Sequence, residues 1–250
     1  MPDRIYQVGD VIAGDYVVRS VMEGGLGIVY AVNHRGGERL VLKSPKRQSD
    51  HAVRENFRNE AEIWVRLGKH TNIVPAFWVD ELAGQLFVAA EFVESDELNR
   101  VSLRDYLRYG ALKPNVVAAW TADFCYGLQH AVLKGLVAHR DIKPENLLIG
   151  ASGVLRVTDF GIAKATVSTF NEDSTKQPKL GAWQTRSGKV SGTPPYMAPE
   201  QWRGAEQDVR TDIYAFGVVM YEMCHGRMPF VAPSMEKLID QHLHIKPQIP

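Results

Sequence analysis

The residues of this chain that are best suited to chemistry lie between Val137 and Gly161. Two short apolar runs there, Leu147–Ile149 and Leu155–Thr158, predict two strands joined by a turn at Ser152-Gly153. Such a hairpin would bring together the polar residues that flank it, which are Asp141, Lys143, Asn146 and Asp159. Carboxylate and amide oxygens are hard ligands for Mg²⁺, and an ammonium group can neutralise a phosphoryl oxygen. The stretch therefore predicts a site for a divalent cation and a phosphate.

The spacing of these residues is more specific than any one of them. Asp159-Phe160-Gly161 alone would fit a solvated polar loop, but here it follows Asn146 by thirteen residues. His139-Arg140-Asp141 comes just before, with Lys143 two residues further on. This order resembles the catalytic loop and the metal-binding turn of eukaryotic-type protein kinases. The position of Lys143 indicates the serine/threonine branch of that family.

The resemblance implies a role for each of these residues. Asp141 would orient a substrate hydroxyl and accept its proton, and Lys143 would stabilise the transferring phosphoryl group. Asn146 and Asp159 would hold Mg²⁺. The cofactors implied are ATP and Mg²⁺.

A glycine-rich stretch, Gly24 to Gly27, separates two runs that predict strands, Tyr16–Met22 and Ile28–Val32. Glycines at a hairpin tip let backbone N–H groups approach phosphates without interference from a Cβ atom. By itself the stretch indicates only a turn. It also resembles the glycine-rich loop of the kinases, although Met22 stands where the first glycine is usual. The resemblance places three of its residues at the nucleotide: Gly24, Gly27 and Val29.

The next predicted strand, Leu40–Lys43, ends in a lysine, which taken alone would be a solubilising strand end. By resemblance Lys43 contacts the α and β phosphates and pairs with a glutamate on a following helix. Helical spacing over Phe57–Leu67 predicts that helix. Its expected buried stripe is Phe57, Ala61, Trp64 and Leu67. Glu60 is the best match to the pairing glutamate, so we include Lys43 and Glu60 with Asp141 and Lys143 as catalytic candidates.

Two further strands, Ile73–Val79 and Gln85–Ala90, lead to the segment that resembles the kinase hinge. There Ala90 would guard the pocket behind the adenine, and Glu91 and Val93 would offer backbone hydrogen bonds to it. The apolar residues expected to sandwich the adenine ring are Val29, Val41 and Leu148. Ala76 and Ala90 are small, and Trp64 is large. We therefore hypothesise that the Trp64 indole fills the volume that the two alanines leave, as interior packing density requires.

The stretch from Asp159 to Glu200 resembles an activation segment. Its centre, Thr166–Gly192, is too polar to pack by itself. It closes with a run from Gly192 to Glu200 that resembles the family's substrate-docking loop and its Ala-Pro-Glu anchor. Arg140 could pair with a phosphate on this segment. The first candidates for phosphorylation are Thr185 and Ser187, and the further candidates are Thr166, Ser168 and Thr169.

The last third of the chain predicts a buried helix over Asp208–Met223 and one more over Pro233–His244. The residues expected to face inward on the first are Ile213, Phe216, Gly217, Met220 and Tyr221. By resemblance Asp212 accepts hydrogen bonds from the backbone around His139. Kinases usually continue through further helices, so we expect a longer polypeptide and an exposed apolar patch on this part of it.

Composition excludes several classes of protein. Of the 250 residues, 45% are hydrophobic and 23% charged, and 29 basic residues balance 29 acidic ones, so the net charge does not suggest a nucleic-acid partner. No run is apolar for long enough to span a membrane. Cys125 and Cys224 lie in helical patterns and are expected to be buried free thiols in a reducing compartment. A cytoplasmic protein of bacterial type is the expectation.

Together these features predict an α+β, bilobal, protein-kinase-like fold. Residues 1–92 would form an N-terminal antiparallel β lobe with one helix, and residues 93–250 a mostly helical lobe. The predicted activity is ATP- and Mg²⁺-dependent phosphorylation of serine and threonine in protein substrates, with self-association for autophosphorylation. Two alternatives stay open: a pseudokinase that binds nucleotide as a scaffold, and a phosphotransferase acting on small molecules.

Overall fold

The computed structural model describes residues 4–24, 27–160 and 193–248. The predicted phosphorylation sites, Thr166, Ser168, Thr169, Thr185 and Ser187, lie outside the described residues.

A six-stranded antiparallel sheet forms the first part of the molecule, with the strand order β1-β2-β3-β4-β6-β5. Its strands are β1 (Val11–Ile12), β2 (Tyr16–Glu23), β3 (Ile28–His34), β4 (Arg39–Ser44), β5 (Ala76–Leu82) and β6 (Gln85–Glu91). The predicted strands of this region are therefore confirmed to within a few residues at their ends. A short hairpin of β7 (Leu147–Leu148) and β8 (Arg156–Val157) lies further along the chain.

The helices of the described residues are α1 (His51–Leu67), α2 (Leu103–Leu107), α3 (Pro114–Leu133), α4 (Pro199–Arg203), α5 (Val209–His225) and α6 (Met235–His244). Within the described residues, α1 is the one helix that lies among the strands of the large sheet, as the predicted lobe composition requires. The lobe boundary between residues 92 and 93 stays a prediction.

Helix α1 begins earlier than predicted because Asp50 caps it. The Asp50 carboxylate accepts hydrogen bonds from the backbone N–H groups of Ala52 (3.1 Å) and Val53 (3.2 Å), which would otherwise lack partners at the first turn. The helix ends at Gly68, whose φ of 68° is easily adopted only without a side chain. The predicted apolar stripe is buried, and Glu60 lies on the same face.

The Trp64 side chain is fully buried, as our packing hypothesis requires. It belongs to the same hydrophobic cluster as Ala76 and Ala90. The indole N–H donates to the carbonyl of Val74 (2.8 Å), so the polar atom of this large side chain is satisfied inside the core. Trp64 thus joins α1 to the chain that enters β5.

The buried face of α5 differs from the predicted one. Phe216 is buried, but Ile213 and Met220 are 57% and 39% exposed, and Gly217 and Tyr221 are not buried either. This helix is apolar on several sides, so its sequence pattern does not define which side is inward. The buried carboxylate of Asp212 fixes which way α5 is turned about its axis. With Asp212 inside, Ala215, Phe216 and Val219 also lie on the inner face. Phe216 there stacks on Phe124 of α3 at 3.7 Å between ring centroids.

The expectation that both cysteines are buried is also wrong. Cys125 and Cys224 are free and exposed. Each follows a buried residue, Phe124 or Met223, and the next position in an α-helix points about 100° away. The outer face of α5 therefore carries Cys224 together with Ile213 and Met220.

His242 packs α6 against Tyr214 of α5 and against Phe230. Its imidazole is 4% exposed, its Nδ1 atom lies 2.8 Å from the Tyr214 hydroxyl, and its ring lies 4.8 Å from that of Phe230. Within the described residues its Nε2 atom has no hydrogen-bond partner. Burial lowers the pKa of His242 from 6.5 to about 4, because a charged imidazole is poorly solvated there.

This burial predicts a loss of stability in acid. Between pH 6.5 and 4 the unfolded chain binds a proton at His242 and the folded chain does not, so the free energy of unfolding falls as the pH falls. The expected loss from this residue over that range is about 3 kcal/mol. Urea unfolding at pH 7 and pH 4.5 measures it. His242→Gln should flatten the pH dependence, whereas His51→Gln, at an exposed position, should keep it. Equal pH dependence in both variants would contradict the prediction.

Candidate active site

The β7–β8 hairpin forms the frame of the predicted site. Leu147 pairs with Val157 and Leu148 with Arg156, and Gly153 turns the chain with a φ of 69°. The backbone N–H of Thr158 donates to the carbonyl of Asn146 (3.0 Å). This bond joins the residue before Asp159 to the end of the catalytic-loop sequence, as the predicted hairpin requires.

Asp141 lies at the centre of a hydrogen-bonded group. One of its carboxylate oxygens, Oδ2, accepts from Lys143 Nζ (2.6 Å) and from Asn146 Nδ2 (3.1 Å). The other, Oδ1, accepts from the Thr193 hydroxyl (3.3 Å), which in turn accepts from Lys143 Nζ (3.0 Å). The structure thus brings three of the predicted residues into direct contact and adds Thr193 from the docking loop, which we define here as residues 193–200.

The backbone on the other side of Asp141 is held by Asp212. The Asp212 carboxylate accepts from the N–H groups of His139 (2.7 Å) and Arg140 (2.8 Å), the contact that the sequence resemblance implied. The pKa of Asp212 is raised, because burial of the carboxylate outweighs the lowering by His139, by Arg140 and by these two hydrogen bonds. Arg140 and Asp159 both have positive φ, 71° and 67°, in a region that costs non-glycine residues about 1–3 kcal/mol. The bond to Asp212 anchors the backbone at Arg140 in that conformation.

The ion pair of Lys43 differs from the predicted one. Within the described residues its ammonium pairs with the Asp159 carboxylate, and the predicted pair with Glu60 is not formed. Asp159 lies two residues after the end of β8, in left-handed backbone. The Trp64 ring lies 5.6 Å from Lys43 Nζ, one helical turn beyond Glu60. Glu60 itself is buried on α1.

The glycine-rich turn is closed by a backbone hydrogen bond from the N–H of Gly24 to the carbonyl of Gly27 (3.0 Å). Gly27 has a structural requirement of its own, because a Cβ atom there would lie 2.5 Å from the carbonyl oxygen of Ser44. Met22 pairs with Val29 within the strands that lead to this turn. A methionine is therefore compatible with the hairpin at that position.

Two of the apolar residues predicted around the adenine, Val29 and Val41, occupy adjacent strands of the large sheet, and the third, Leu148, lies in β7 of the hairpin. Val29 of β3 pairs with Lys43 of β4, and Val41 of β4 pairs with Ala90 of β6. Val29, Val41 and Leu148 are all half-buried, as residues that line a cleft would be. Ala90 is buried.

The hinge, residues 90–93, has one backbone donor already engaged. The N–H of Glu91 donates to the carbonyl of Pro75 (3.0 Å). Within the described residues the N–H of Val93 makes no backbone hydrogen bond. The Glu91 carboxylate accepts from Arg156 Nη1 (2.7 Å), a contact that sequence reasoning missed. The sequence did offer one sign of this contact, because Arg156 interrupts the apolar run Leu155–Thr158.

Sequence reasoning also missed a network built on Arg104 of α2. Its guanidinium donates to Glu145 Oε1 (2.9 Å), to Glu222 Oε1 (2.7 Å) and to the Tyr196 hydroxyl. The Tyr196 hydroxyl donates to Glu222 Oε2 (2.6 Å), and burial raises the pKa of Tyr196. Arg104 therefore links the neighbour of Asn146, the docking loop and α5. These residues lie up to 118 positions apart, so no local pattern could reveal the network.

Comparison with known proteins identifies the family. The family model described as protein kinase domain matches residues 16–249. The chain belongs to the protein kinase domain family. Its antiparallel sheet and helical second part are the two lobes of the protein kinase fold, as predicted.

Two similar curated proteins are bacterial kinases. The chain is 33% identical to the serine/threonine-protein kinase pkn3 of Myxococcus xanthus, with all of this chain and 44% of the relative covered. It is 35% identical to the serine/threonine-protein kinase PknD of Mycobacterium tuberculosis, over 97% of this chain and 34% of the relative. The kinase domain therefore spans less than half the length of these relatives. The predicted resemblance to bacterial serine/threonine kinases is confirmed.

Solved structures support the same fold. The crystal structure of a single-site mutant of the Mycobacterium tuberculosis PknI kinase domain has a TM-score of 0.63 and 24% identity, with 98% of this chain and 92% of that chain covered.

None of the helices in the described part of the chain is long and apolar enough to cross a membrane.

Proposed function

We propose that this kinase domain transfers the γ-phosphoryl group of ATP to serine and threonine hydroxyls of protein substrates. The observation that carries the proposal is the Asp141 carboxylate, which is fixed by Lys143 and Asn146 and has a threonine hydroxyl 3.3 Å away. A carboxylate held in this way can orient a substrate hydroxyl and accept its proton. A bond then forms between the hydroxyl oxygen and the γ-phosphorus, and the bond from phosphorus to the bridging oxygen of ADP breaks.

The donor set suits Mg²⁺. Asn146 Nδ2 donates to the backbone carbonyl (2.8 Å) and the carboxylate of Asp141, which orients the amide and leaves its oxygen for a cation. Asp159 supplies a carboxylate next to Lys43. Both are hard oxygen ligands. When bound, Mg²⁺ would neutralise phosphate charge, and Asn146 and Asp159 are the residues that we assign to hold it.

The nucleotide would lie between the sheet and the hairpin. Lys43 would position the α and β phosphates, and we keep Glu60 as the residue that would pair with it if Asp159 held Mg²⁺ instead. The Glu91 carbonyl and the Val93 N–H are the proposed adenine partners. The remaining proposed contacts, with the phosphates and the ring, are Gly24, Gly27, Val29, Val41, Ala90 and Leu148.

Protein substrates would enter along the docking loop. Thr193 contacts both Asp141 and Lys143, so this loop is held against the proposed base. Arg104 reinforces that position through Tyr196. Autophosphorylation of residues 166–192, with transient self-association, is part of the proposal.

An assay with radiolabelled ATP, Mg²⁺ and a generic protein substrate tests the proposal. We expect label on serine and threonine of the protein and on the chain itself. Nucleotide binding without any transfer would indicate the pseudokinase instead. Transfer only to small alcohols would indicate a small-molecule phosphotransferase.

Replacing Asp159 should weaken metal–nucleotide binding. Asp159→Ala removes one proposed Mg²⁺ ligand and the ion partner of Lys43, and the affinity for Mg²⁺·ATP should fall roughly 10–100-fold, as losing a charged partner typically costs. Calorimetric titration with a non-hydrolysable ATP analogue measures the affinity with and without Mg²⁺. Asp80→Ala, on an exposed strand position, is the matched control. An unchanged Mg²⁺ dependence in Asp159→Ala would remove Asp159 from the metal site.

A further inference from the structure

A cavity of about 460 Å³ opens beside the hinge. Its walls come from the loop after α1, from the chain entering β5 and from the ion pair between Glu91 and Arg156. None of the residues assigned above to catalysis or to Mg²⁺ lines it within the described part of the chain. The cavity adjoins the proposed nucleotide site and shares Glu91 with it, but it contains none of the residues proposed for the chemistry or the metal.

Arg156 supplies the best-defined donor in this cavity. Its side chain is 15% exposed, and Nη1 is used by Glu91 at 2.7 Å. The Nε atom is buried and has no hydrogen-bond partner among the described residues. That atom is closed to a ligand, whereas the Nη2 group makes no hydrogen bond within the described residues and is left as the donor for an acceptor oxygen placed in the cavity.

His70 adds a second donor. The backbone N–H of Asn72 donates to His70 Nδ1 (3.2 Å), which leaves the proton of the neutral imidazole on Nε2. The ring stacks on that of His130, 4.5 Å away with 23° between the planes. Burial, and then the nearby His130, lower the pKa of His70, so the neutral form with an Nε2 donor is favoured at neutral pH.

The charge of the cavity favours an anion. Lys69 lies exposed at its rim, and Arg156 is balanced by Glu91. One positive charge therefore remains in excess among the lining residues. The wall between these groups is apolar and consists of Ile73, Pro75 and the 41% exposed ring of Phe77.

We propose that this cavity is a second ligand site, which binds a phosphate monoester carried on a flat apolar group. Lys69, His70 and Arg156 would hold the phosphate, because three donors, two from the loop after α1 and one from β8, match its three terminal oxygens. Phe77 and its apolar neighbours would contact the organic part. A carboxylate offers only two oxygens and should bind more weakly.

Calorimetric titration with phenyl phosphate tests the proposal, with a non-hydrolysable ATP analogue and Mg²⁺ present in excess. We expect saturable binding at millimolar concentration, weaker binding of benzoate, and loss of affinity at high salt. Arg156→Gln should weaken binding about tenfold and Lys69→Gln roughly threefold. Replacing the largely buried guanidinium removes a charged hydrogen-bond donor, which costs more binding free energy than removing the exposed charge of Lys69. Lys134→Gln, an exposed lysine outside the cavity, should have no effect.

Phe77→Ala separates the two halves of the site. It should weaken phenyl phosphate and leave the binding of inorganic phosphate unchanged. Thermal melting of each variant shows whether it is folded, and Lys69→Gln tests the site even if Arg156→Gln is unstable. Absence of saturable binding, or the same affinity in Lys69→Gln and Phe77→Ala as in the unaltered chain, would overturn the proposal. If the domain binds no nucleotide, the same titrations without the ATP analogue test the second site by the same criteria.

Discussion

Asp141→Asn should reduce the turnover of protein phosphorylation by about 10²–10⁴-fold, the contribution typical of a positioned general base. The amide cannot accept the substrate proton, whereas its size and its contacts with Lys143 and Asn146 allow the same local fold. Asp141 is not among the residues proposed to hold the phosphates or the adenine. The affinity for Mg²⁺·ATP should therefore change little.

Steady-state assays with radiolabelled ATP measure the turnover, and calorimetry measures the nucleotide affinity. Asp105→Asn offers a matched control, because Asp105 caps α2 through Ser102 and does not contact Asp141. A turnover within a few-fold of the unaltered domain would contradict the role given to Asp141. Loss of nucleotide affinity together with turnover would indicate that Asp141 supports the metal site instead.

Trp64→Ala should lower the free energy of unfolding by roughly 3–5 kcal/mol, the usual cost of truncating a buried tryptophan. Ala76 and Ala90, which belong to the same hydrophobic cluster, are too small to fill the space, so a cavity would remain. The hydrogen bond to the Val74 carbonyl would also be lost. Because Trp64 lies beside Lys43, the change should weaken nucleotide binding as well.

Urea unfolding measures the stability of this variant. Trp64→Phe, which keeps most of the volume, should lose less, and Trp78→Ala, at a half-buried position in β5, should lose less again. A double variant with Ala90→Leu in the Trp64→Ala background should recover part of the loss if the two side chains share one volume. Equal losses at positions 64 and 78 would contradict the packing hypothesis.

Much of the fold could be predicted because the patterns that indicate strands and helices lie within short stretches of the sequence. The alternating, β-branched run Tyr16–Met22 predicted β2, and short, largely apolar runs bounded by turns predicted β3, β4, β5 and β6. The apolar stripe of α1 repeats at helical spacing and was correctly placed. The catalytic-loop residues were found together because they lie within six positions of one another, next to a hairpin that the sequence also predicts.

The errors arose where no local rule applies. The rotation of α5 could not be read from a helix that is apolar on several sides, and the buried Asp212 decided it by satisfying two distant backbone N–H groups. The exposure of Cys125 and Cys224 follows from the rotations of their helices in the same way.

By itself the sequence determined the family resemblance, the order of the elements and the identity of Asp141, Lys143 and Asn146 as one group. Only the tertiary structure decided that Lys43 pairs with Asp159, that Arg104 links the catalytic loop to the docking loop, and that Arg156 joins the hinge. The physical reason is sequence separation: strands and turns form from neighbouring residues, whereas an ion pair between positions 43 and 159 depends on how the sheet and the hairpin are brought together.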